Sequence, residues 1–308
     1  MNNTHHAGTE LQAKAELDFA VRRSELACPA HSLKMMTKAA ASAADEVIFD
    51  LEDGCAPSQK EAARKTVIEA FQTLNFQGKI RAFRTNGVHT KFFYRDVVEV
   101  VEAAGANIDV MVVPKVHEAA HLQFADGLLT EIEKSHGLPP GRIKLEALIE
   151  SAKGVLHAER IAASSSRLVV LIFGSADYAG DIGVRGVVNE QVYVYPRSKI
   201  VAAARAAGIQ VMDGVTFEFR NLEQCERDAR TAFEMGFDGK WAIHPDQVPV
   251  IHRVFTPSAE EIARARQVLD LYHQSGSGVI VYKDQMVDEA NLHSERRTLA
   301  IARKLGII

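Results

Sequence analysis

Cysteine is scarce in this chain of 308 residues: three copies, Cys28, Cys55 and Cys225, an odd number with no CxxC pair and no histidines at zinc-finger distance. That excludes a disulfide scaffold and a thiolate zinc ribbon, and the three read as reduced thiols of a cytoplasmic protein. No stretch approaches the roughly 18 consecutive apolar residues that a spanning helix requires. The polar start MNNTHHAGTE lacks the apolar core of a secretory signal, and residues 1–18 read as a mobile leader. Basic excess is also missing, since 36 Lys and Arg stand against 40 Asp and Glu for a net charge of −4. Bulk electrostatics therefore give no support to a nucleic-acid partner or a membrane surface. No GxGxxG follows the first apolar run and no GK[ST] loop occurs, which removes the usual dinucleotide and nucleotide-phosphate signatures.

What the chain does have is regular alternation. Short apolar runs recur at 24–30, 46–53, 79–86, 109–116, 143–150, 167–174, 209–214 and 239–245, with amphipathic segments between them and no long linker. One of those segments, SQKEAARKTVIEAFQTL, has apolar residues at three- and four-residue steps, and its Ser58 and Glu61 stand at capping-box spacing. Eight β-then-α units with strands too apolar to be half-exposed predict a (β/α)8 TIM barrel over 19–256; a doubly wound sheet is the alternative. Residues 257–308 follow as a helical extension, with the glycine-serine stretch 275–278 as the hinge of a lid.

In such folds the chemistry sits at the C-terminal ends of the strands. Glu150 and Asp177 each close an apolar run there, and two acids without a histidine suit Mg²⁺, or Mn²⁺, better than zinc. Asp50 and Glu52 end the second run on one side of the strand. Arg84, rather than Arg81, is the inward arginine of KIRAFRTN, placed to pair with Glu52 and to donate to a developing oxyanion. Lys34 opens the helix after the first strand and, with Arg22 and Arg23, offers a small basic patch for phosphates. His244 and Pro245 close the eighth run, and Asp288 is an acid between apolar neighbours in the tail motif QMVDEA.

Taken in order, RRS, the P..S.KM stretch, VIFDLEDGCAPSQKEAAR, FRTN, LIES with AKGV, FGSADYAGDIG, and DGKWAIHPDQV with FTPS resemble the citrate lyase beta-chain-like aldolases. This HpcH/HpaI group includes malyl-CoA, β-methylmalyl-CoA and citramalyl-CoA lyases. The resemblance spans about residues 21 to 290. It implies that Glu150 and Asp177 hold Mg²⁺, that Arg84 binds substrate and supports an enolate beside Glu52, and that Lys34 contacts coenzyme A phosphates. Arg23, Ile243 and Pro245 are placed with Lys34 in the cofactor-binding set. Asp288 matches the acid of an M-x-D motif that a C-terminal segment presents to a neighbouring subunit. One departure stands out: PAHSLKM replaces the usual PGxxP-like turn, so Ala30 and His31 occupy a region of permissive glycine.

The expected activity is retro-Claisen cleavage of a β-hydroxyacyl-CoA to acetyl-CoA or propionyl-CoA plus a 2-oxo acid, glyoxylate or pyruvate. The expected assembly is a homotrimer or a dimer of trimers, with small-molecule partners only. Two rivals share the fold: a lyase acting on a carrier-protein thioester, and a 2-oxo acid aldolase that needs no thioester. A non-catalytic binding barrel is a third alternative, disfavoured by retention of the acids and the arginine.

Overall fold

A computed structural model describes residues 19–186 and 190–308, so the expected leader lies outside the described residues. Two compact units are present, a barrel from Arg22–Arg253 and a second unit containing Val254–Ile308. The barrel strands are β1 (Ser24–Pro29), β2 (Glu46–Asp50), β3 (Ile80–Arg84), β4 (Val110–Val113), β5 (Lys144–Ile149), β6 (Leu168–Phe173), β7 (Gln210–Asp213) and β8 (Gly239–Ala242). All neighbours are parallel and consecutive, and β8 pairs with β1 to close the ring. The eight expected strands and their order are therefore those of the structure.

Each strand divides its residues by parity. Outward side chains pack under the helices: Phe49 and Phe83 meet Phe71 of the helix Lys60–Thr73, with ring centroids 5.0 and 6.4 Å away. That helix buries Ala63, Val67, Ala70 and Phe71, the spacing of a single helical face. Burying one such phenylalanine contributes about 1.5–3 kcal/mol. Inward side chains form layers. The middle layer is apolar, with Ile48, Ala82, Val112, Leu148, Ile172 and Met212 in one buried cluster.

Below it, at the N-terminal ends of the strands, lies a charged floor. Glu25, Glu46 and Glu146 are fully buried, with carboxylate oxygens within 4.8 Å of one another. Arg22 is their cation: its Nε is 2.9 Å from Glu46 and 3.1 Å from Glu146, and its Nη1 donates to Gln210 at 2.7 Å. Both oxygens of Glu25 lack a hydrogen-bond partner, and Glu146 has only its ion pair with Arg22. Burial, reinforced by mutual repulsion, holds Glu25 and Glu146 well above the usual carboxylate range.

The capping expectation at Ser58 fails. Pro57–Gln59 form a 3₁₀ turn, so the helix begins at Lys60 behind Gln59 and no side chain caps it. A capping box does occur in the second unit, formed by Ser258 and Glu261 at the start of the helix Ala259–Ser275. Gly276 ends that helix in the left-handed conformation, φ 58°. The hairpin β9 (Val279–Tyr282) and β10 (Gln285–Asp288) follows, turning at Lys283 and Asp284, both with positive φ. Ile280, Val287, Leu292 and Leu299 pack with Ile262 and Val268 into a core of their own.

Candidate active site

The strand register sets Asp50 directly beside Arg84. Arg84 donates from Nε to Asp50 Oδ1 at 2.7 Å and from Nη2 to Oδ2 at 2.6 Å, a two-pronged pair that uses two of its five N–H groups. Its Nη1 lies 3.0 Å from Glu52 Oε2, and its guanidinium stacks over Trp241, 5.2 Å from the ring centroid. Burial opposes the charge on Asp50, but Arg84 and the N–H groups of Glu52 and Gly54 outweigh it and hold the carboxyl below its usual range. Glu52 has weaker support and is pushed up, chiefly by burial. The expected Arg84–Glu52 pair thus exists, with Asp50 as the stronger partner.

Glu150 stands one residue beyond β5, and Asp177 is the third residue of the helix Ser175–Asp181 rather than the end of β6. Gly174 turns the chain out of β6, and it must be glycine: an added Cβ would lie 2.4 Å from Glu150 Cβ and 2.8 Å from Oε2. Glu150 is buried, Asp177 is exposed, and the two acids line the same cavity. Burial, Glu52 and Asp177 together drive Glu150 well above the usual carboxylate range. All-oxygen donors lining one cavity, with negative charge that their surroundings do not balance, fit a hard divalent cation such as Mg²⁺.

Arg84, Glu150 and Asp177 line one cavity of about 510 Å³. Its other walls include Cys28, Met35, Phe173, Phe217, Trp241 and Ile243. Cys28 is no thiolate there, because burial, with Asp50 nearby, pushes its thiol up to about 12. A second, more polar lobe of about 430 Å³ shares Glu150 and Asp177 and adds His89, Lys115 and His117.

The cofactor-binding set divides. Ile243 lines the cavity, and Lys34 is exposed on the helix Leu33–Ala40, beside the wall residue Met35. Pro245 is exposed one turn beyond β8 and is not a wall of either lobe. Arg23 is a correction. It precedes β1, at the opposite end of the barrel from Lys34, and Asp45 holds it through two guanidinium bonds of 2.9 and 2.7 Å. Arg22 is likewise committed to the floor, so the basic patch read from proximity in sequence does not form: β1 itself separates its members. Asp288 caps a 3₁₀ turn in the second unit, its Oδ1 accepting from Ala290 and Asn291. His244 stacks on Phe219, with ring centroids 5.2 Å apart, and is not a wall of either lobe.

Two contributors escaped the sequence reading. Lys60 donates its Nζ to the carbonyls of Leu51 and Glu52 and to Asn86 Oδ1, fastening the loop that carries Glu52. Lys115, just past β4, donates its backbone N–H to Glu150 Oε1 at 2.7 Å and its ammonium to Glu52 Oε1 at 2.9 Å. Its signal was available: VMVVPK places a charge at a strand end, as DLED and LIES do.

Comparison with known proteins follows the same lines. Residues 23–245 match the family model described as HpcH/HpaI aldolase/citrate lyase. An L-malyl-CoA/beta-methylmalyl-CoA lyase of Cereibacter sphaeroides is 39% identical over 290 residues, 88% of this chain and 91% of the relative. A citrate lyase subunit beta of Leuconostoc mesenteroides is 35% identical over 285 residues, covering 92% and 93%. Among solved structures, the CitE protein of Mycobacterium tuberculosis in complex with magnesium, acetoacetate and coenzyme A has a TM-score of 0.75. It is 32% identical and covers 93% of this chain and 99% of its own. A citrate lyase from Burkholderia xenovorans, with a TM-score of 0.83 at 20% identity, shares the fold.

Proposed function

For a chain that belongs to the HpcH/HpaI aldolase/citrate lyase family and is a carbon–carbon lyase, we propose Mg²⁺-dependent cleavage of a β-hydroxyacyl-CoA of the malyl, methylmalyl or citramalyl type. The observation that carries this reading is the single cavity that brings Arg84 together with Glu150 and Asp177. Relatives named for malyl-CoA cleavage and a neighbour crystallised with magnesium and coenzyme A support it.

Glu150 and Asp177 would hold Mg²⁺. When bound, the ion supplies Lewis acidity toward the hydroxy-carboxylate end of the substrate. The hydroxyl gives its proton to solvent water, its oxygen becomes the carbonyl of glyoxylate or pyruvate, and the carbon–carbon bond breaks. The electron pair moves into the thioester carbonyl, giving an enolate. Arg84 stabilises that oxygen with the N–H groups that Asp50 does not use, and Asp50 fixes the guanidinium in place before charge develops. Protonation of the enolate carbon yields acetyl-CoA or propionyl-CoA. Asp288, delivered from a neighbouring subunit of a trimer or dimer of trimers, is proposed as the acid for that step. Lys34 and Ile243 are proposed to contact the coenzyme A moiety.

The test is a coupled assay with malyl-CoA, methylmalyl-CoA and citramalyl-CoA isomers in the presence of Mg²⁺. A free acyl-CoA released from at least one is expected; none from any of them overturns the reading. A second reading rests on the citrate lyase subunit beta relative, namely cleavage of a citryl group carried by an acyl carrier protein. Activity that requires that partner and ignores coenzyme A thioesters would favour it.

A further inference from the structure

Lys115 is the left-handed lysine at the mouth of the barrel, with φ 54°. Among the described residues only Gln77, Lys283 and Asp284 also place a non-glycine residue there, and the last two form a hairpin turn. The conformation is unfavourable for a residue with a Cβ and persists where surrounding contacts impose it. Here those contacts are with the site. Turning φ positive directs the Lys115 N–H at Glu150 Oε1, 2.7 Å away, while the next residue, Val116, resumes the ladder to Leu148 at 3.1 Å. The side chain runs the other way. Its Nζ lies 2.9 Å from Glu52 Oε1 and 3.4 Å from Asp53 Oδ1.

One residue therefore touches two acids that repel each other, Glu150 and Glu52. Both oxygens of Glu52 face a cation: Oε1 the Lys115 ammonium at 2.9 Å, and Oε2, which makes no hydrogen bond, the Arg84 guanidinium at 3.0 Å. Glu150 is gripped on Oε1 by the backbone, which leaves Oε2 beside Gly174, in the cavity that Asp177 also lines. We propose that Lys115 is a positioning residue that keeps Glu52 committed to Arg84 and out of the metal-binding acids. The inference rests on the reading of Glu150 and Asp177 as Mg²⁺ ligands and deepens it by naming what sets the balance between metal affinity and turnover.

The consequence has a definite sign. Without the ammonium, the charge of Glu52 is no longer cancelled and adds to that of Glu150 and Asp177. Mg²⁺ then binds more tightly, while Arg84 loses an aligned partner and turnover falls. A residue serving only to stabilise the loop would weaken both. The experiment is equilibrium dialysis of the metal-free protein against Mg²⁺ with metal analysis, beside steady-state kinetics on the thioester that the wild type cleaves. The variants are Lys115→Met, Lys115→Gly and Lys115→Arg.

Lys115→Met is expected to lower the Mg²⁺ dissociation constant about fivefold or more and to lower kcat at least about tenfold. Lys115→Gly, which adopts positive φ freely, is expected to repeat both changes and so to separate charge from backbone strain. Lys115→Arg is expected to restore both. Unchanged or weaker Mg²⁺ binding in Lys115→Met and Lys115→Gly overturns the inference alone. A wild-type chain that takes up no Mg²⁺ overturns it together with the metal reading. If no thioester is cleaved, the proposed activity falls and the dialysis arm still decides the role of Lys115.

Discussion

Glu46 and Asp50 stand four residues apart on the same side of β2, and their circumstances are opposite. Asp50, at the mouth, is saturated by two bonds from Arg84 and two backbone N–H groups. Glu46, in the floor, shares Arg22 with Glu146 and leaves its Oε1 unpartnered. The same side-chain chemistry is thereby held ionised at one end of the barrel and pushed toward protonation at the other.

The floor makes stability depend on pH with a determined sign. Glu25 and Glu146 are raised by burial, so the folded chain keeps protons that the unfolded chain releases above the ordinary carboxylate range. Their contribution is fully present below that range and is lost as pH rises through the folded-state values. Urea midpoints measured from about pH 5 to about pH 9 should fall. Glu146→Gln should flatten the decline and raise the midpoint at the alkaline end; an unaltered slope would count against a protonated floor.

Arg84 should be costly to truncate. Arg84→Met leaves Asp50 buried and unpaired, a loss of about 3–5 kcal/mol by denaturant unfolding. Asp50→Asn combined with Arg84→Met should recover part of it, since no buried charge then lacks a partner. Arg84→Lys keeps a charge and loses the fork, and its turnover should drop by about 10²-fold or more. Equal turnover in Arg84→Lys would show that fork geometry has no part in the chemistry.

Gly174→Ala tests the placement of Glu150. The new Cβ would lie 2.4 Å from Glu150 Cβ, against a side chain that is buried and cannot swing away freely. A loss of about 1–3 kcal/mol is expected, together with weaker Mg²⁺ binding. Wild-type affinity in a stably folded variant would mean that Glu150 is not constrained by this contact.

Metal linkage is accessible by thermal unfolding. At about 100 times the dissociation constant, a ligand that binds only the folded state adds about 2.7 kcal/mol, so Mg²⁺ should raise the wild-type Tm. Glu150→Gln should abolish that rise. In metal-free buffer the same variant should melt higher than wild type, because Glu150 is disfavoured as an ion by burial, Glu52 and Asp177. A lower metal-free Tm would contradict the repulsion.

Apolar runs made the barrel legible, because eight strands covered on both faces leave an unmistakable alternation with their helices. Charges at the tops of those runs made Glu150, Arg84 and Glu52 legible for the same reason. The neighbour of Arg84 was harder: choosing Asp50 over Glu52 requires the register between β2 and β3, which no local pattern encodes. Arg23 misled because proximity in sequence ignores the length of β1, whose two ends face opposite solvents. Floor residues were within reach of the period of two. Counting back four from Asp50 and from Glu150 lands on Glu46 and Glu146, inward for the same reason. What no count could supply was Glu25 and Arg22 joining them across the barrel. Asp177 slipped from strand to helix because β6 ends at Phe173 and the helix that follows Gly174 has no side-chain cap to mark its start.

The apolar ring between mouth and floor works as an insulator. Four residues of strand separate Glu46 from Asp50, about 13 Å of rise, and the space between is filled by hydrocarbon rather than by a chain of exchangeable protons. Tolerance to alkali and reactivity toward substrate are consequently two dials on separate circuits: selection, or an engineer, can retune the floor glutamates for a different pH without touching the charges that do the chemistry.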